Sequence, residues 1–192
     1  MNEILLPELE DIDFSIFKSI KNRKSVRDYK KVPLTLKEVA YLLWSTKSIP
    51  SAGGLCPLKF YLFSKNVIDL DIGLYKYEYN QNKLIKIFDK DISNEIYEAS
   101  FNQDCIKKSS ILIFICADFN ITKRRYSERG IRYVYNEAGH SSQNIYLMAT
   151  ALNLGTVAVG AFDDLKIKKS IDLPTNEDPI YIMPVGKLWR LR

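Results

Sequence analysis

Histidine is almost missing from this 192-residue chain: His140 stands alone, beside only three cysteines, three methionines and two tryptophans. With one imidazole, a Ser-His-Asp triad would depend on His140, and no GxSxG elbow is present to hold its nucleophile. Cys56, Cys105 and Cys116 cannot all pair, and their spacing matches no disulfide framework. No CxxC knuckle gathers them with His140 into a zinc site, so no metal is expected. They read as small, mostly buried thiols of a reducing compartment. No apolar run approaches the ~18–20 residues of a bilayer span, which excludes an integral membrane protein. Met1 to Phe14 carries Glu3, Glu8, Glu10, Asp11 and Asp13, the reverse of a basic signal-peptide start, and the expected address is the cytoplasm. Neither GxGxxG nor GxxxxGKS/T occurs, so a nucleotide would have to be held without a Rossmann or P-loop cradle.

What is present is an ordinary globular composition, 46% hydrophobic and 27% charged. There is no repeat, low-complexity tract or Gly/Ser linker, and one domain over residues 1–192 is the economical reading. The net charge of +5 is concentrated. Between Lys18 and Lys31 seven cations face only Asp28, a local excess that leaves the remainder of the chain almost neutral. Smaller basic clusters follow at Lys123, Arg124, Arg125, Arg129 and Arg132, and at Lys187, Arg190 and Arg192. A local excess on a near-neutral body points to an anionic group bound at one place, whereas a nucleic-acid binder spreads its charge over a face.

Apolar spacing predicts a short helix over Phe14–Asn22. Thr35-Leu-Lys-Glu38 is a capping box, with Leu34 and Val39 as its hydrophobic staple, opening a helix to about Trp44. Pro50 to Gly54 is a loop. Leu58–Ser64 reads as a strand, Gly73–Glu78 and Leu84–Phe88 as a hairpin, and Ile92–Ser100 as a helix. The continuous apolar run from Ser110 to Ala117 predicts a central strand covered on both faces. Ile131–Asn153 predicts the main helix, about 35 Å long and ended by Gly155, with a small-residue patch at Ala138 to Ser142. A strand at Thr156–Val159, a short helix at Asp164–Ser170 and a strand at Ile180–Val185 complete an α+β alternation without a regular βαβ rhythm. Glu137 and His140, three apart, are expected to share a helix face.

Arg23-Lys-Ser-Val-Arg27-Asp-Tyr29 supplies a guanidinium fork, a second cation and a hydroxyl in succession, which suits a phosphate dianion. This motif resembles the opening flavin-phosphate motif of the nitroreductase superfamily. Pro50-Ser-Ala-Gly-Gly-Leu-Cys-Pro57 resembles that superfamily's second flavin loop in the form used by its SagB-type dehydrogenase branch. Glu137-Ala-Gly-His140-Ser-Ser-Gln143-Asn144 is similar to that branch's long-helix signature. Ala151 to Gly155 with Val159 to Asp163 resembles the strand and turn beneath the flavin, and Pro184-Val-Gly186-Lys187 the closing strand.

The resemblance implies a mostly antiparallel central sheet flanked by helices, one of them long, and FMN bound between the chains of a homodimer. It implies that Arg23, Lys24 and Ser25 hold the phosphate and ribityl end, with Lys187, or alternatively Arg190, closing on the phosphate and Arg27 beside the pyrimidine edge. Gly160 and Ala161 would meet flavin N5, and Pro50, Ser51, Ala52, Gly53 and Gly54 would pack along the ring. The implied activity is ping-pong reduction of nitroaromatic, quinone or similar conjugated acceptors by NAD(P)H, with hydride passing through N5. Arg125 and Tyr126 take the place of a Lys-Tyr proton-transfer pair found in azoline-oxidising members, and Cys56 the place of a common Tyr. Tyr126 can still exchange a proton, but Arg125 stays charged and cannot act as a base. An azoline dehydrogenase working with cyclodehydratase partners is therefore the second reading, and a non-catalytic basic module binding nucleic acid the third.

Overall fold

The computed structural model describes residues 3–189. Its strands are β1 (Glu3–Leu5), β2 (Leu58–Ser64), β3 (Gly73–Glu78), β4 (Lys83–Phe88), β5 (Ile111–Ala117), β6 (Leu154–Thr156) and β7 (Asp178–Lys187). Its helices are α1 (Ile16–Asn22), α2 (Leu36–Trp44), α3 (Ser93–Ala99), α4 (Asp104–Lys108), α5 (Phe119–Tyr126), α6 (Arg129–Ala151) and α7 (Asp164–Ser170). The strands form one sheet in the order β1-β4-β3-β2-β5-β7-β6, and every neighbouring pair is antiparallel.

Strand β5 lies between β2 and β7, and all seven of its residues are buried. Its continuous apolar run follows from helices covering both faces. Ile111, Ile113 and Ile115 join a core with Val39, Leu42 and Leu43 of α2 and Val134, Ala138 and Ile145 of α6. Leu112, Phe114 and Cys116 point the other way, into a core with Ile96, Ile106 and Ile167 of α3, α4 and α7. The two-residue period of a strand thus serves two cores at once.

The capping box of α2 forms as expected: the Glu38 N–H donates to Thr35 Oγ1 at 3.2 Å, and the Thr35 N–H donates to Glu38 Oε2 at 2.9 Å. Leu34 and Val39 are both fully buried. Three expectations are corrected around α6. It starts at Arg129 rather than Ile131, and its stop is not Gly155 but the left-handed Asn153, at φ 55°. Gly155 lies inside β6, where a Cβ would come within 2.8 Å of Val26 Cγ1; it is there for close approach of the basic segment. The strand expected at Thr156–Val159 is Leu154–Thr156, with a single antiparallel bridge from Val159 to Ile182 beyond it; between them the Ala158 N–H donates to Tyr146 Oη at 2.8 Å. Strand β1 and helices α4 and α5 were not anticipated. Among the described residues no helix is long and apolar enough to cross a membrane.

Candidate active site

The basic segment leaves α1 at Arg23 and runs alongside the ends of β6 and β7. The Val26 N–H donates to Thr156 O at 2.8 Å and the Lys30 N–H to Lys187 O at 2.9 Å. Tyr29 is its anchor. Its buried hydroxyl donates to Val26 O at 2.7 Å and Pro184 O at 3.1 Å, and burial pushes the phenol far above its ordinary range, so it stays neutral. The ring lies where Gly186 has no side chain: a Cβ there would sit 2.7 Å from Tyr29 Cβ. With Tyr29 buried inward, Lys24, Ser25 and Arg27 remain exposed and Arg23 half-buried.

Tyr146 of α6 organises this corner. Its hydroxyl is 3.0 Å from Ser25 Oγ and accepts the Ala158 N–H, while the Arg23 guanidinium lies over its ring, 5.2 Å from the centroid. One side chain therefore joins the cationic segment to the turn carrying Gly160 and Ala161. Those two residues are exposed between buried Val159 and Phe162. The Val159 amide is fixed to Ile182 O at 2.9 Å, and Ala161 O accepts from Gln103 Nε2 at 2.9 Å, so the turn is held on both sides.

The second loop is built around glycine backbone. Gly53 and Gly54 adopt φ 62° and 67°, a region that strains any side chain. A Cβ on Gly53 would fall 2.7 Å from Tyr126 Oη and 2.8 Å from Arg125 Nη1, so the fold brings this pair directly onto the loop. The Arg125 guanidinium lies 5.5 Å from the Tyr126 ring centre, and Tyr126 packs edge-to-face on Tyr133 at 5.1 Å. The loop is tied to α6 by the Ala52 N–H, which donates to Glu137 Oε1 at 2.9 Å. Asn144 Nδ2 holds the approach to it by donating to Ser45 O at 3.0 Å and Ser48 O at 3.1 Å. Ser51 Oγ accepts the Cys56 N–H at 2.9 Å.

Lys187 is engaged by the carboxylate of Glu38, the same group that caps α2. Arg190 lies outside the described residues. Glu137 is buried while His140 is exposed, so the edge of the buried arc of α6 runs between them and they do not share an environment. Cys105 and Cys116 are buried, but Cys56 is exposed beside the glycine loop.

Helix α6 thus carries two anchors, Glu137 for the loop and Tyr146 for the cationic corner. They are nine residues apart, ~13 Å along the axis and half a turn around it. They emerge on opposite flanks, with exposed Asn136, His140 and Gln143 between them. Sequence reasoning missed Tyr146 because a tyrosine in an apolar helical stripe reads as core. It missed Glu38 because its capping role was already accounted for.

Residues 20–187 match the model of the nitroreductase family. The chain belongs to that family. A protein of Methanocaldococcus jannaschii, provisionally named a nitroreductase, is 38% identical over 194 residues, covering 96% of each chain. A structure from Anabaena variabilis, provisionally named in the same way, superposes with a TM-score of 0.85 at 25% identity over 96% of this chain, which spans only 40% of the Anabaena chain. The NADPH:FMN oxidoreductase of Vibrio harveyi, determined with NAD+, shares the fold at a TM-score of 0.70 and 16% identity, over 92% of this chain and 70% of its own. The span matched to the nitroreductase family takes in every candidate residue from Arg23 to Lys187.

Proposed function

We propose that this nitroreductase-family oxidoreductase is an FMN enzyme that draws electrons from NAD(P)H and delivers them to nitroaromatic, quinone or similar conjugated acceptors. The observation that carries the reading is the corner at Tyr146, where Arg23, Ser25 and the Ala158 amide meet on one side chain. Guanidinium, ammonium and hydroxyl donors suit a phosphate dianion. Exposed, nearly side-chain-free backbone at Gly160, Ala161, Gly53 and Gly54 suits a flat ring that must approach closely. The residues present fit FMN.

In this reading Arg23, Lys24 and Ser25 hold the phosphate and ribityl end, and Arg27 brings positive charge beside the pyrimidine edge. Lys187 closes on the phosphate, sharing its ammonium with Glu38. Pro50, Ser51, Ala52, Gly53 and Gly54 cover the ring. When bound, FMN supplies two-electron hydride chemistry; the protein supplies orientation and electrostatics. Tyr126 holds or gives a proton at its hydroxyl beside Gly53, and Arg125 orients an incoming molecule without acting as a base.

The loop and the cationic corner leave opposite flanks of α6. A flavin touching both is therefore completed by a second copy of the chain, and we propose a homodimer with FMN at its interface. Within the family we place the chain nearest the SagB-type branch on Pro50 to Pro57 and Glu137 to Asn144. Arg125 argues against azoline oxidation as the activity. Three free cysteines suit the cytoplasm.

The test is the visible spectrum of the purified protein with the mass of its released chromophore, joined to its sedimentation behaviour. The expected result is a yellow dimer releasing FMN, and a folded, flavin-depleted Arg23→Ala variant. A folded protein that takes up no FMN on soaking would overturn the reading. Retention of a full complement by Arg23→Ala would show that the phosphate sits elsewhere.

A further inference from the structure

Glu137 is only 2% exposed, yet the fold uses just one of its two carboxylate oxygens. Oε1 accepts the Ala52 amide proton, whereas Oε2 is buried without a hydrogen-bond partner among the described residues. The side chain forms part of the wall of a cavity of about 50 Å³, space for a few water-sized groups. Cys56 and Tyr79 line the same cavity and are exposed, so it opens to the surface beside the glycine loop. A carboxylate held there gains most from a cation, because an unpaired charge out of water is costly. Lys47 also lines the cavity, but it is exposed and its ammonium does not reach Oε2. A divalent metal ion lacks ligands: no group of three His, Cys, Asp or Glu side chains suited to one occurs among the described residues. An organic ammonium fits. Thr46 Oγ1, which donates to Leu43 O at 2.6 Å, and Ser51 Oγ keep lone pairs to accept with. The three N–H donors of an ammonium thus meet a carboxylate and two hydroxyl oxygens. Its carbon chain meets Ile49 and Leu58, and the rings of Phe60 and Tyr79 attract a cation as well as cover it.

We infer that this cavity binds the ammonium group of a small primary amine, with Glu137 Oε2 as its counter-ion. One carboxylate then holds the amine on one oxygen and the Ala52 amide on the other, so the ligand sits directly behind the glycine loop. The site is made of this chain's own side chains and does not rest on the flavoenzyme reading.

Cys56 is a built-in reporter, because it is exposed at the cavity while Cys105 and Cys116 are buried. The experiment is the rate at which iodoacetamide alkylates Cys56 in the folded, purified protein at neutral pH, followed by peptide mass. It is run with n-butylammonium chloride, n-butanol or potassium chloride at constant ionic strength. Butylammonium should slow labelling at about a tenth of the concentration that butanol needs, the ratio a hydrogen bond to a charged group provides. Potassium should not slow it. Glu137→Gln should bring the amine and the alcohol to within about threefold of each other, since a neutral amide replaces the carboxylate. Lys47→Met, which removes a cation from the rim, should keep or enlarge the preference for the amine. Equal protection by amine and alcohol, protection by potassium, or a preference that survives Glu137→Gln overturns the inference. Protection that appears only in Lys47→Met also overturns it, because Lys47 then fills the site itself. The three additives decide the question on wild-type protein even where a variant fails to fold. A colourless protein that prefers the amine leaves this site standing without the flavin, and a yellow protein with no preference does the reverse.

Discussion

Glu137 Oε1 accepts the Ala52 amide proton at 2.9 Å, while its Oε2, equally buried, has no hydrogen-bond partner among the described residues. A half-satisfied buried carboxylate is unusual, because a lone polar atom in the interior carries its full desolvation penalty. A cavity of about 50 Å³ beside it, lined by Thr46, Ser51, Cys56 and Tyr79 among others, has room for water to serve that oxygen. The carboxylate therefore acts as the loop's fastening. Glu137→Gln keeps an acceptor for Ala52 and should retain flavin and a urea midpoint near wild type. Glu137→Ala strands the Ala52 amide and should lose about 2 kcal/mol of stability together with much of its flavin. Equal flavin content in the two variants would show that the fastening does not matter to the site.

Tyr146→Phe tests the cationic corner with the ring left in place. The substitution keeps the surface under Arg23 but removes the hydroxyl shared by Ser25 and the Ala158 amide. Loss of one such bond is worth about 1 kcal/mol, so FMN affinity measured by fluorescence titration should weaken roughly fivefold to tenfold. The thermal midpoint of the flavin-free protein should fall only slightly. A variant that binds FMN as tightly as wild type would remove Tyr146 from the site.

How much of this was legible in the sequence depends on whether the signal was local. Thr35 and Glu38 announced their helix because a capping box is a contact across three residues. The run ending at Ala117 announced a central strand because covering both faces leaves no polar position. Gly155 was misread because a glycine after a helix can serve a left-handed cap or a close approach, and only Val26, far away in sequence, decides between them. Arg125 and Tyr126 drew attention by resemblance, but their contact with Gly53 is tertiary and has no sequence signature. Tyr146 shows the limit most sharply: its position in the helical stripe reads as core, and its hydroxyl's partners lie on two other segments.

Away from the site, the Tyr61 hydroxyl donates to Glu177 Oε2 at 2.7 Å, with both residues buried. Burial, reinforced by the Glu177 carboxylate, pushes the phenol well above its ordinary range, so this donor persists at any working pH. Tyr61→Phe leaves a buried carboxylate without its donor and should lose about 2 kcal/mol by chemical denaturation. Adding Glu177→Gln should recover part of that loss. A single variant as stable as wild type would mean that water replaces the phenol without penalty.

Lys65 supplies a pH signature of known sign. Its ammonium donates to Ile106 O at 2.5 Å and Lys107 O at 3.4 Å, at the end of α4, and burial lowers its pKa to about 8. A lowered pKa on a cation means that folding penalises the charged form. Below pH 8 both states hold the proton and the penalty is fully present. Above pH 8 the folded chain releases the proton while the unfolded chain keeps it to about 10.4, so the contribution of Lys65 to stability rises with pH over that interval. Buried groups whose burial raises their pKa act oppositely, the thiols of Cys105 and Cys116 once the unfolded thiols ionise at about pH 8.5 and the tyrosines at about pH 10, but wild type and Lys65→Met share them. Lys65→Met lacks only the Lys65 contribution. Measured by urea unfolding at pH 8 and pH 10, wild type should gain on Lys65→Met by on the order of 2 kcal/mol. Parallel stability curves for the two proteins would show that Lys65 keeps an ordinary ammonium pKa in the folded state.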